Sequence, residues 1–177
     1  MRALIVIVGP IASGKSTIAC ELGVRFRAAD RPVAVLDLDH VVGTVGGFAG
    51  LTAERFRQAQ VVHGDLVGSW LRRGFDVIAH GPFFALEEDR ALLHAVPAGI
   101  VPRRVRLLAT YDAALERVAL DPDRAASKDP AFLRAAYDRV DSLLPTMAPS
   151  DWTFDTTTRS PREIVDALAA ALLPAPA

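Results

Sequence analysis

Gly9-Pro10-Ile11-Ala12-Ser13-Gly14-Lys15-Ser16-Thr17 holds, at close spacing, the residue types that bind phosphate. An apolar, β-branched run from Ala3 to Val8 precedes it, and a helical pattern begins near Lys15. That is the strand, glycine-rich loop and helix order of a Walker A site. Gly9 and Gly14 let the backbone curl so that several N–H groups can face one cluster of phosphate oxygens. Ala12, Ser13 and Thr17 complete the cradle, and the new helix adds the positive end of its dipole. Lys15 supplies a point charge for the β- and γ-phosphates, and the Ser16 hydroxyl is the expected Mg²⁺ ligand.

A second group of reactive side chains follows the next apolar run, Val33-Ala34-Val35-Leu36. Asp37 and Asp39 stand two residues apart there. If the strand continues through them, both carboxylates point the same way, into a cleft beside the phosphate loop. One could take a proton from a substrate hydroxyl while the other holds Mg²⁺. Asp37 is favoured as the base and Asp39 as the metal-side partner, and the reverse assignment stays open. The third apolar run, Phe75 to Ala79, delivers His80-Gly81-Pro82-Phe83-Phe84. His80 either faces substrate or is structural, and Phe83 and Phe84 either wall a substrate ring or pack under the sheet. His63 falls on a helical stripe with Phe56 and Trp70, which predicts a core or cleft-edge histidine. Arg117, Arg124 and Lys128 surround a polar stretch, 120–130, that has the make-up of a closing lid. Cations on such a segment neutralise charge on a transferred phosphoryl group.

The elements that must position these residues alternate regularly. Helices are expected over 14–27, 52–73, 86–95, 113–119, 131–144 and 161–173, the last opened by the capping box Ser160-Pro161-Arg162-Glu163. Asp112 is the expected cap of the fourth helix. Strands are expected over 3–8, 33–36, 75–79, 105–109 and 152–154. Strand and helix in turn predict an α/β fold, a parallel sheet covered on both faces. Ligands of such sheets bind beyond the carboxyl ends of the strands, so the loops after each strand should surround one site.

The whole composition narrows the function. A length of 177 residues suits one domain spanning 1–177 with a full core, and a formal net charge of −1 offers no basic surface for nucleic acid. No apolar run reaches the roughly 20 residues of a membrane span. The single cysteine, Cys20, excludes an internal disulfide and is expected as a small core residue in a cytoplasmic protein. Of twenty basic residues only Lys15 and Lys128 are lysines, which singles out Lys15 as a residue kept for its own chemistry.

Taken together, G-P-I-A-S-G-K-S-T, the D-L-D after the second strand, the arginines about the lid and F-D-T-T-T-R-S-P resemble the P-loop small-molecule kinases. Shikimate kinase, gluconate kinase and chloramphenicol phosphotransferase are the nearest comparisons. The resemblance implies a three-layer P-loop NTPase fold with a five-stranded parallel sheet in the order 2-3-1-4-5. It implies ATP with Mg²⁺, a small hydroxylated acceptor, and Asp37 or Asp39 as base. It makes Arg117 and Arg124 the adenine and lid arginines, and Thr156, Thr157 and Pro161 an adenine-side loop. Helices within 44–73, carrying Arg55 and Arg57, would lie on the substrate side with Asp37, His80 and Phe83. The glycine triplet of shikimate kinases after the third strand is replaced by His80-Gly81-Pro82. A monomer or homodimer without membrane or nucleic-acid partners is expected. A nucleoside or nucleotide kinase and a slow ATP-binding switch protein are the alternative functions.

Overall fold

The computed structural model describes residues 2–48, 50–122 and 126–173. Arg124, half of the lid expectation, lies outside these residues. The first strand, β1 (Leu4–Val8), is buried along its whole length. β2 (Val33–Asp37) and β3 (Asp76–His80) lie to one side of it, β4 (Pro102–Leu108) and β5 (Trp152–Asp155) to the other. The sheet order is β2-β3-β1-β4-β5, and every pairing is parallel. The expected order 2-3-1-4-5 is therefore the observed one.

Alternation along β1 divides the core. Leu4, Val6 and Val8 face a cluster with Leu38, Ala59, Val67, Leu92 and Val140. Those residues come from α2 (Leu38–Gly43), α3 (Ala53–Arg72), α4 (Leu86–Leu93) and α6 (Pro130–Leu143). Ile5 and Ile7 face the opposite cluster, with Ile18, Leu22 and Phe26 of α1 (Lys15–Ala28) and Ile164 and Leu168 of α7 (Pro161–Leu172). A two-residue side-chain period thus demands helices on both faces. A third cluster joins α5 (Tyr111–Leu120) to α6 through Ala114, Val118, Leu133 and Tyr137, and it also packs Ile11 and Ala12 of the phosphate loop.

Several local expectations need correction. The second strand stops at Asp37 and the chain enters α2 at Leu38, so Asp37 and Asp39 do not share a strand face. Thr110, not Asp112, caps α5, its side chain accepting from the Ala113 N–H. Cys20 is exposed, because α1 buries Ile18, Ala19 and Leu22 instead. On α3 the buried face runs through Ala59, His63, Val67 and Leu71, and Leu66 is exposed. β4 begins earlier than Val105, at Pro102, where a missing N–H at the first strand position costs no interior ladder bond.

At the lower edge of the sheet, fully buried Asp76 accepts from the Arg31 guanidinium at 2.8 Å and 2.7 Å and from the Ala3 N–H at 2.7 Å. Arg31 also donates to the Leu172 carbonyl, so one carboxylate links β1, β3 and the end of α7. Asp76→Ala strands these donors and should cost about 3 kcal/mol or more of stability. Urea unfolding of the two proteins, compared by midpoint at equal slope, checks this.

Candidate active site

α1 starts without a side-chain cap. Thr52, Thr110, Asp129 and Ser160 cap α3, α5, α6 and α7 respectively. A helix start left open in this way keeps its orphan N–H groups available to an anion. The loop before it is held tightly. A Cβ at Gly9 would lie 2.5 Å from Ser13 Oγ and 2.9 Å from the Leu107 carbonyl, so only glycine lets β4 and the loop approach. Gly14 has φ of 85° and Ala12 of 59°, so Ala12 sits in the left-handed region at a cost that the surroundings must cover.

The Lys15 ammonium donates to the Gly9 and Pro10 carbonyls, both at 2.9 Å, and so arches over the loop. Ser13 is fully buried, and its Oγ has no hydrogen-bond partner among the described residues. Ser16 and Thr17 are exposed on the first turn of α1. Beside the start of α1, a cleft of about 220 Å³ is lined by Ala12, Ser13, Gly14, Thr17, Arg117, Thr156 and Pro161 among others. Residues from three distant stretches, 12–18, 117 and 156–161, therefore form one wall. Thr157 lies outside that lining; its hydroxyl accepts from the Thr110 N–H.

Arg117 lines the cleft, yet its donors are committed to the protein. Nη1 reaches the Ala12 carbonyl at 2.9 Å and Thr156 Oγ1 at 3.1 Å, and Nη2 the Thr156 carbonyl at 2.6 Å. Tyr137 on α6 adds a bond from its hydroxyl to the Ile11 carbonyl at 3.0 Å. Burial pushes the Tyr137 phenol up to about 12, so it is a donor at neutral pH. Nothing in the local pattern around Tyr137 marks it for this role. Its one sequence signal is its helical spacing with Leu133 and Val140, the other buried residues of α6.

On the other side of the phosphate loop stand the carboxylates and histidines. Asp37 accepts from the Asp39 N–H at 3.0 Å, capping α2. It is the register partner of His80, whose Nδ1 lies 3.6 Å from the Asp37 carboxylate. Asp39 is exposed in the first turn of α2. Burial, helped by the Lys15 ammonium, lowers the His80 pKa to about 4 against an opposing pull from Asp39. His80 thus feels charges carried by segments that follow other strands, Lys15 after β1 and Asp39 after β2. His63 is fully buried against Phe83, ring centres 5.5 Å apart, and burial lowers its pKa to about 4 as well. The Leu36 backbone pulls the other way without closing a hydrogen bond to either ring nitrogen.

Phe83 and Phe84 are buried in the core, as the packing alternative had it, with Phe84 also lining a small cleft beside Gly9 and Pro10. Arg57 is exposed and pairs with Glu54 one turn away, and Arg55 is exposed at the start of α3. Lys128 is exposed in the short 3₁₀ turn before α6.

Residues 4–145 match the model of a family described as an AAA domain. The chain belongs to that family. No curated protein matches its sequence. Among solved structures, this AAA-domain chain is similar to a shikimate kinase from Acinetobacter baumannii in complex with shikimate, with a TM-score of 0.67 and 20% identity over 97% of this chain and 93% of that one. A sugar kinase from Janibacter gives 0.65 and 16%, covering 96% and 94%. A shikimate kinase from Bacteroides thetaiotaomicron gives 0.66 and 14%, covering 96% of each chain. At these identities the likeness is one of fold, and the fold is that of the P-loop small-molecule kinases. Among the described residues no helix is long and apolar enough to cross a membrane.

The two buried histidines give the site a pH signature. Between pH 6.5 and about 4 the unfolded chain takes up protons that His63 and His80 refuse in the folded protein. Stability is therefore full above pH 6.5 and falls as the pH drops through that window, by a few kcal/mol in order of magnitude. Denaturant titrations from pH 7.5 to 4 should show this slope, and His63→Gln should flatten it.

Proposed function

We propose that this chain is an ATP- and Mg²⁺-dependent kinase that moves the γ-phosphate to a hydroxyl of a small molecule. What carries the reading is the two-sidedness of the phosphate loop. One flank is a cleft bounded by Arg117, Thr156 and Pro161, sized for part of a nucleotide. The other flank holds His80, within electrostatic reach of Lys15, and Asp37, whose carboxylate lies 3.6 Å from the His80 ring. A nucleotide switch needs only the first flank; a phosphotransferase needs both.

The residues present suit the groups this function requires. An uncapped helix start, an arched lysine and the unpartnered Ser13 hydroxyl fit a phosphate chain. Ser16 and Asp39 offer exposed oxygen donors, and Mg²⁺ in kinases takes only one or two protein ligands beside substrate phosphates. Bound there, the ion would supply charge neutralisation to the phosphate oxygens. The base-side cleft would take the nucleoside, with Gly9 to Thr17 around the phosphates and Arg117 at its wall.

Asp37 is the proposed base. Its carboxylate is largely buried and faces a histidine that stays neutral at neutral pH, so that histidine does not pair with it as a cation. It would accept the hydroxyl proton as the acceptor oxygen attacks the γ-phosphorus and ADP leaves. Arg124 is assigned to the lid, meeting the transferred group on closure, with Lys128 nearby. Arg55, His80 and Phe83 are assigned to the acceptor side, although Phe83 acts there as packing beneath His63.

Two variants test the assignment. Lys15→Ala should abolish transfer while the thermal melt stays near the parent's. Asp37→Asn keeps the cap on α2, because asparagine caps as well as aspartate. It should retain ATP affinity and lose about 10²-fold or more in single-turnover transfer. The acceptor for this assay comes from ADP release against a panel of polyols, sugar acids, nucleosides and aminoglycoside-like compounds. Full transfer by Asp37→Asn would remove it as base and move the role to Asp39, and ADP release indifferent to every acceptor would favour the switch protein.

A further inference from the structure

The backbone of the phosphate loop is gripped from outside by the two helices that flank the 121–129 connection. The Tyr137 hydroxyl on α6 holds the Ile11 carbonyl, and the Arg117 guanidinium on α5 holds the Ala12 carbonyl. The loop returns the contact: the side chains of Ile11 and Ala12 pack into the α5–α6 cluster with Ala114, Val118 and Leu133. In a trans peptide, C=O and N–H point in opposite directions. Fixing the Ile11 carbonyl toward α6 therefore turns the Ala12 N–H away from α6. Fixing the Ala12 carbonyl toward α5 does the same for the Ser13 N–H, which makes only a long turn bond of 3.3 Å to the Pro10 carbonyl. Ala12 needs this grip, since its φ of 59° is unfavourable for a side-chain-bearing residue.

We propose that Tyr137 is a positioning residue of the phosphate site, which with Arg117 fixes the loop's carbonyls outward and ties the loop to the α5–α6 helix pair. Arg117 has a second hand on the base side, since the same guanidinium holds Thr156 by its hydroxyl and its carbonyl. Thr156 is in turn pinned to the end of β4 by its N–H and Oγ1, both donating to the Leu108 carbonyl. The loop is thus braced against the sheet from outside before any ligand arrives.

Tyr137→Phe removes the hydroxyl and keeps the ring, which stacks edge-on against Tyr111 with centres 5.8 Å apart. Tyr111→Phe is the control: its hydroxyl donates to the Pro130 carbonyl in the same aromatic pair and does not bond the loop. Hydrogen–deuterium exchange of the ligand-free proteins should rise about fivefold across residues 10–16 in Tyr137→Phe and stay at the parent's level in Tyr111→Phe. Affinity for ATP–Mg²⁺ and for inorganic tripolyphosphate, by calorimetric titration, should each fall about fivefold in Tyr137→Phe alone. The melting temperature should move by no more than about 4 °C. Unchanged exchange over 10–16 in Tyr137→Phe overturns the proposal. An increase spread along α5 and α6, or an equal effect in Tyr111→Phe, overturns it also, because the hydroxyl would then serve the helix pair alone. The affinity arm rests on the proposed nucleotide site and the exchange arm does not. A parent protein that binds neither ATP nor tripolyphosphate would sink the function and leave exchange to judge Tyr137.

Discussion

A loop that binds phosphate through its backbone must keep its own carbonyl oxygens away from the anion. In this chain, separate parts of the molecule supply donors for successive carbonyls. Lys15 takes those of Gly9 and Pro10, Tyr137 that of Ile11, and Arg117 that of Ala12. The uncapped start of α1 lies just beyond. Each element has a reason to be where it is if this constraint comes first. β1 and β4 sit side by side because Gly9 must pass within contact of Leu107. α5 and α6 meet over Ile11 and Ala12 because the loop's strained turn needs both packing and hydrogen bonds to persist.

The ends of β2 and β3 are governed by burial instead. α3 lays His63 over the ends of β2 and β3, and α2 begins at once after Asp37 so that its cap and the strand end are one residue. In this dry environment both histidines are held neutral. Lys15 is then the cation that His80 feels, and the Asp37 carboxylate lies 3.6 Å from the His80 ring while it caps α2. The same desolvation that shapes the chemistry makes the fold sensitive to acid, since neutral buried histidines favour the folded chain only while protons are scarce.

How far this was legible in the sequence follows the range of the interactions. The phosphate loop is local: strand, glycine spacing, lysine and helix start lie within a few residues, and the physics of each acts on its neighbours. Strand–helix alternation is also local, being a matter of periods of two and 3.6, and with it came the two-faced sheet. Ser160 and Glu163 form the capping box that their spacing announces. The strand order was not written in any spacing; it came from resemblance, and β1 takes the centre because it alone is apolar on both faces throughout.

Tertiary structure decided what rests on distant pairs. The Tyr137–Ile11 bond joins residues 126 apart and the Arg117–Ala12 bond residues 105 apart, so no window of sequence contains either. Asp37 was the favoured base of two carboxylates expected on one strand face, with the reverse assignment open. Which of them ended buried beside His80 depended on where the helix began, a competition between strand pairing with β3 and capping of α2. Cys20 had the composition of a core residue but fell on an exposed face of α1. A residue's type fixes what it can bond to, whereas burial and partner are fixed only when the sheet has chosen which helices lie on which face.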